Sequence, residues 1–90
     1  MPYVDDQSRA DLELVSLALR ESPPATAGEL QYVIARAIAE FMDMSDKRYQ
    51  DMNDVMGALS GAQQEFYRRV VAPYEDSCIK RNGDIPKYIN

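Results

Sequence analysis

Apolar residues in this chain recur at three- and four-residue intervals, and that spacing constrains the fold more than any other feature. The set Leu30, Val33, Ile34, Ala37, Ile38 and Phe41 forms one broad helical face that runs to about Met42. A second set, Met52, Val55, Met56, Leu59, Ala62, Phe66 and Val70, lies on one face of a helix expected from about Asp46 to Val71. Ahead of both, Leu12, Val15, Ala18 and Leu19 keep the same spacing, and Leu14 and Leu17 widen it. No strand-like alternation survives these readings. The expected fold is all-α, a small bundle of two shorter helices packed on a long third helix.

Short polar residues and prolines punctuate the helices. Asp5, Asp6 and Ser8 carry side chains able to cap free amides at the start of the first helix. Ser22-Pro23-Pro24 ends it, because two prolines cannot continue the hydrogen-bond ladder. Thr26-Ala27-Gly28-Glu29 matches a capping box and opens the second helix. The short polar connection Asp43 to Asp46, with Ser45 as a further capping candidate, implies that the third helix returns antiparallel to the second. Pro73 either kinks the third helix or opens a new one at its first position, and a kink followed by a short helix is the preferred expectation. Asn82-Gly83 supplies a stop. Residues 1–4 read as an extended arm, and Asp84 to Asn90 as a tail made sticky by Ile85, Tyr88 and Ile89.

Ninety residues make one domain, 1–90, with a thin core. The third helix, at 1.5 Å per residue, is about 39 Å long. A compact globule of this size has a diameter of only about 31 Å, so the helix should project and invite a partner. The chain is therefore expected to form homo-oligomers.

Ten basic residues against fifteen acidic ones leave a net charge of -5, which argues against long nucleic acid as a partner. A compact anionic ligand needs only a local arginine cluster. With no histidine, imidazole-based nucleophile activation and imidazole metal sites are excluded, and the chain is read as a non-enzyme without cofactor or bound metal. The lone Cys78, read as a partly buried thiol, suits a reducing compartment. The acidic N-terminus leads into no signal-like apolar run, and no stretch reaches the roughly 20 apolar residues of a membrane span. A cytoplasmic protein without membrane partners is expected.

Three constellations qualify as functional candidates. Gly57, Gly61, Gln64 and Arg68 form a stripe roughly opposite the Met52, Leu59 and Phe66 face. A glycine inside a helix costs about 1 kcal/mol relative to alanine, so the stripe is read as an interface where backbone or ligand approaches, or where the first helix packs. Tyr67, Arg68, Arg69 and Tyr74, joined by Tyr32 and Arg36 on the second helix, combine guanidinium forks for phosphate with aromatic faces for a base. Against that reading, Glu65 lies three and four residues before Arg68 and Arg69 and can pair with both. The pairs Glu40/Asp43 and Asp51/Asp54 have oxygens suited to Mg²⁺, but acids near a helix start are ordinary dipole partners.

The run EFYRRVVAPYED followed by NGD, with the opening Met1-Pro2-Tyr3 and the segment Glu29-Leu30-Gln31-Tyr32, resembles a family of small uncharacterised proteins of tailed phages and prophages. The resemblance covers most of the chain and implies a phage origin and action in the bacterial cytoplasm, with no established activity. By analogy with unrelated phage proteins that counter host defence, the leading expectation is a homo-oligomer that sequesters a nucleotide-derived immune signal at Arg68 or Arg69. The alternatives are a module engaging a host or phage protein through the Gly57 and Gly61 face and, third, a metal-dependent nucleotide hydrolase.

Overall fold

The computed structural model describes residues 4–88 of the chain. It is helical throughout, with no strand among the described residues, and divides into two compact units, Met1–Phe41 and Met42–Asn90. Met1, Pro2 and Tyr3 of the expected arm, and Ile89 of the expected tail, lie outside the described residues.

The first unit holds α1 (Asp6–Asp11), α2 (Glu13–Glu21) and most of α3 (Ala27–Met44). Asp5 caps α1, its carboxylate accepting from the Ser8 amide at 2.8 Å, and this bond holds the Asp5 carboxyl below the usual range. The first helix is jointed at Leu12, whose backbone (φ -98, ψ 10) leaves the helical region while its amide still reaches the Ser8 carbonyl at 3.1 Å. No glycine or proline marks that joint. Ser22 ends α2 ahead of the two prolines, as expected. At the start of α3 the Thr26 hydroxyl accepts from the Glu29 amide at 3.1 Å. The Glu29 carboxylate accepts from Ala25 at 2.9 Å, one residue earlier than the box pattern places it.

In the second unit, Ser45 acts on the helix behind it. Its hydroxyl donates to the Met42 carbonyl at 2.8 Å and accepts from the Lys47 amide at 3.1 Å, so it finishes α3 instead of opening the next helix. Lys47 turns the chain with φ 57, a left-handed conformation costly for a residue with a Cβ. The next helix, α4 (Tyr49–Phe66), therefore begins three residues later than the expected Asp46. Asp51 secures that start by accepting from the Arg48 amide at 3.0 Å.

From Tyr49 the helix runs on through a π-helical turn (Tyr67–Val71) into α5 (Ala72–Asn82). In an uninterrupted α-helix the Pro73 ring would meet the carbonyl four residues back, that of Arg69, and leave it without a donor. Here the amide of Ala72 reaches five residues back to the Tyr67 carbonyl, widening the turn. Pro73 then sits in the first turn of α5, where a missing amide costs least. The helix passes the proline unbroken. Gly83, with φ 86, closes α5 and donates to the Ile79 carbonyl at 2.7 Å, and a short 3-10 turn (Pro86–Tyr88) follows.

The π turn changes which residues share a face, because one extra residue rotates everything after it by about 100°. The Tyr67 hydroxyl donates to Glu75 at 2.6 Å, across eight residues. In a plain α-helix such a pair stands about 80° apart, and with one residue absorbed only about 20° apart. The bond thus records the shifted register. Among the described residues no hydrophobic side chain is buried, and Asp51 is the one buried residue, at 8% exposure.

Candidate functional site

Chemistry gathers around the π turn. Glu65, near the end of α4, precedes Arg68 by three residues and Arg69 by four, so both guanidiniums lie over its carboxylate. Arg68 reaches the two Glu65 oxygens at 3.1 and 3.3 Å, and Arg69 bonds to the same carboxylate through Nε. The Glu65 carboxyl is held below the usual carboxylate range, chiefly by the Arg68 hydrogen bond with Arg69 adding to it. Two cations on one anion leave a positive charge over, on side chains that stay well exposed at 64% and 58%.

Tyr67 and Tyr74 face a different environment. Together they line a groove of about 570 Å³ whose edge is acidic, from Glu75, Asp76 and Asp84, and whose apolar part is Ile79 and Ile85. No basic residue lines it. The Tyr67 hydroxyl, donated to Glu75 and close to the charge of Asp76, titrates above its ordinary value. The two arginines and the two tyrosines expected to act as one cluster are thus divided, with the cations over Glu65 and Tyr74 on the acidic groove.

The other candidates stand apart from this turn or are engaged locally. In the first unit, Tyr32 is exposed and Arg36 pairs with Glu40, one turn along α3. A Cβ built on Gly57 or Gly61 would meet nothing within 4 Å, so the chain itself supplies no close approach to that stripe. Gln64 donates to the Ser60 hydroxyl at 3.2 Å. Asp54 accepts from Gln50 at 2.8 Å, and Asp51 is occupied with the α4 start. Among the described residues no three potential ligands gather to hold a metal ion. Cys78, half-buried in the groove, accepts from the Arg81 guanidinium at 3.2 Å.

Sequence reasoning missed the Tyr67–Glu75 pair and the groove it closes. Eight residues match neither helical neighbour spacing, and the sole sign of a shifted register was Pro73 downstream of Tyr67.

Fold and site define an all-α chain with a charged and aromatic cluster on a helical turn, in which no described helix is long and apolar enough to cross a membrane. The chain belongs to the family described as Domain of unknown function (DUF6899), whose family model matches residues 1–85. No curated protein and no solved structure matches it.

Proposed function

We propose that this protein is a homo-oligomeric binding protein of phage or prophage origin, acting in the bacterial cytoplasm by capture and not by catalysis. One observation carries the assembly: no hydrophobic side chain is buried among the described residues, while Leu30, Ile34, Met52, Met56, Phe66 and Val70 lie exposed. Soluble monomers rarely leave contiguous apolar faces open, and short chains commonly complete their cores with a partner. For the captured ligand, the reading rests on Arg68 and Arg69, two exposed guanidiniums sharing one carboxylate, which suit a phosphate of a nucleotide-derived host signal.

A second reading is favoured by the acidic groove beside Tyr67 and Tyr74. Its carboxylates repel a phosphate and suit a basic, partly apolar peptide of a host or phage protein. Light scattering combined with calorimetry separates the possibilities. The full-length protein is expected to scatter as an oligomer at low micromolar concentration, and a monomer there removes the assembly. For a nucleotide ligand, Arg68→Ala should weaken binding about 10- to 150-fold, a loss of roughly 1.5–3 kcal/mol for a charge-assisted contact. Unchanged affinity in both Arg68→Ala and Arg69→Ala would reject that ligand site and leave the peptide reading.

A further inference from the structure

Two cavities lie along one side of the long helix, and Tyr67 walls both. One is the acidic groove of about 570 Å³ beside Tyr74. The other, of about 520 Å³, precedes it along the helix and is neutral, with Ser60, Gln63 and Gln64 as its polar side chains and Phe66 and Val71 as its apolar ones. At about 100° per residue, Ser60, Gln64 and Tyr67 share one side of α4, and with one residue absorbed in the π turn Glu75 and Ile79 continue that side into α5. The two cavities are thus successive sections of one track. From Gln64 to Asp76 the track runs about 18 Å, the length of about five or six extended residues.

The sections differ in what they recognise. In the neutral one, Gln63 makes no side-chain hydrogen bond among the described residues, and Gln64 gives only one amide N–H, to Ser60. A glutamine amide carries both a donor and an acceptor, which matches a peptide group. An extended segment leaves such groups free, whereas a helix satisfies its own. In the acidic section, Asp76 makes neither hydrogen bond nor ion pair among the described residues, and Asp84 uses one oxygen on the Ile85 amide at 2.7 Å. Lys80 and Arg81 do not line it, and Arg81 is held by the Cys78 sulfur and the Ser77 carbonyl. Open carboxylates beside the exposed Tyr74 ring select a guanidinium, which stacks on a tyrosine face while its fork takes a carboxylate. Ile79 and Ile85 beside them select an apolar neighbour.

We propose that the track takes an extended, arginine-bearing peptide segment of another protein. Its guanidinium lies between Tyr74 and the Asp76 and Asp84 carboxylates, an apolar residue rests on Ile79 and Ile85, and its backbone bonds to Gln63 and Gln64. The inference rests on the peptide reading of the groove and adds the occupant's conformation, its basic residue and the second region of contact.

Nuclear magnetic resonance titration of the full-length protein tests this with a pair of capped hexapeptide probes, in which arginine and leucine stand at the amino end or at the carboxy end and glycine fills the remaining positions. One of the pair should shift the signals of Gln63, Gln64, Tyr74 and Ile79 together at millimolar concentration. Replacing its arginine with citrulline, a neutral side chain of the same shape, should abolish the shifts without any change to the protein. The double variant Asp76→Asn with Asp84→Asn should weaken binding about tenfold, and Gln63→Ala with Gln64→Ala about threefold, both keeping the helical circular-dichroism spectrum. Shifts confined to Tyr74, Ile79 and Ile85 would overturn the track while leaving a groove for basic peptides. Spermidine moving the same signals as strongly as the peptide would show a site for organic cations and overturn it too. Silence from both probes would overturn the track and the peptide reading together.

Discussion

The two units treat proline in opposite ways. In Met1–Phe41 the starts and ends follow local chemistry: Asp5 opens α1, Ser22 and the prolines close α2, and Thr26 with Glu29 opens α3, with the joint at Leu12 the exception. In Met42–Asn90 a proline stands inside a continuous helix and does not end it. The difference lies in what precedes each proline. Pro23 and Pro24 follow a serine already out of the helical region (φ -139, ψ 67), so the ladder has stopped before they are reached. Pro73 follows a turn whose last amide reaches five residues back, which opens the space its ring needs. In this chain the prolines at a helix end follow a residue that has already left the helix, and the proline inside a helix follows a widened turn.

The sharpest way to break that comparison is to remove the extra residue. Deleting Val71 should force Pro73 against an intact α-helical turn and cost about 3 kcal/mol. Adding Pro73→Ala to the deletion should restore most of that stability, because the clash then has no ring. Urea denaturation of the three chains measures it, and a deletion variant as stable as wild type would show that the π turn answers to something other than the proline.

Caps, in contrast, work alike in the two units and at smaller scale. Thr26→Ala should lower stability by about 1 kcal/mol through the lost bond to the Glu29 amide. Asp51→Ala should cost a similar amount, since its carboxylate takes the Arg48 amide at the start of α4. Lys47→Gly should instead raise the thermal midpoint, gaining about 0.5–1 kcal/mol by relieving the left-handed backbone at φ 57. Differential scanning calorimetry reads all three, and an unchanged Lys47→Gly midpoint would show that the turn is not strained.

The smallest effects are those of pH, for groups well screened by water. Glu65 is depressed by its arginines, so its contribution is present above the ordinary carboxylate value and is lost as pH falls through the lowered one. Glu65→Gln should reduce that acid limb and leave the part that comes from Asp5. Tyr67 is raised from 10.0 by its bond to Glu75, so its contribution is whole below that value and is lost as pH rises through the raised one. Tyr67→Phe should remove the alkaline dependence and leave the acid limb as it is. A Tyr67→Phe chain with an unchanged alkaline limb would mean that the hydroxyl bond to Glu75 does not persist in solution.

Much of this was legible in the residues because it is local. A hydroxyl or carboxylate reaches an amide three residues away wherever the chain begins to coil, so Asp5 and Thr26 announce their helices. Glu65 meets Arg68 and Arg69 because three and four residues span one turn. Glycine alone tolerates φ 86 at no steric cost, so Gly83 marks a stop. The passage past Pro73 was not legible in this way. A break and a continuous helix with a widened turn both relieve the same clash, and only the folded helix shows that the chain adopts the second. With it goes the rotation of α5 that brings Tyr67 to Glu75. That rotation sums over every residue of the helix, and one residue absorbed in a single turn redirects all the side chains beyond it.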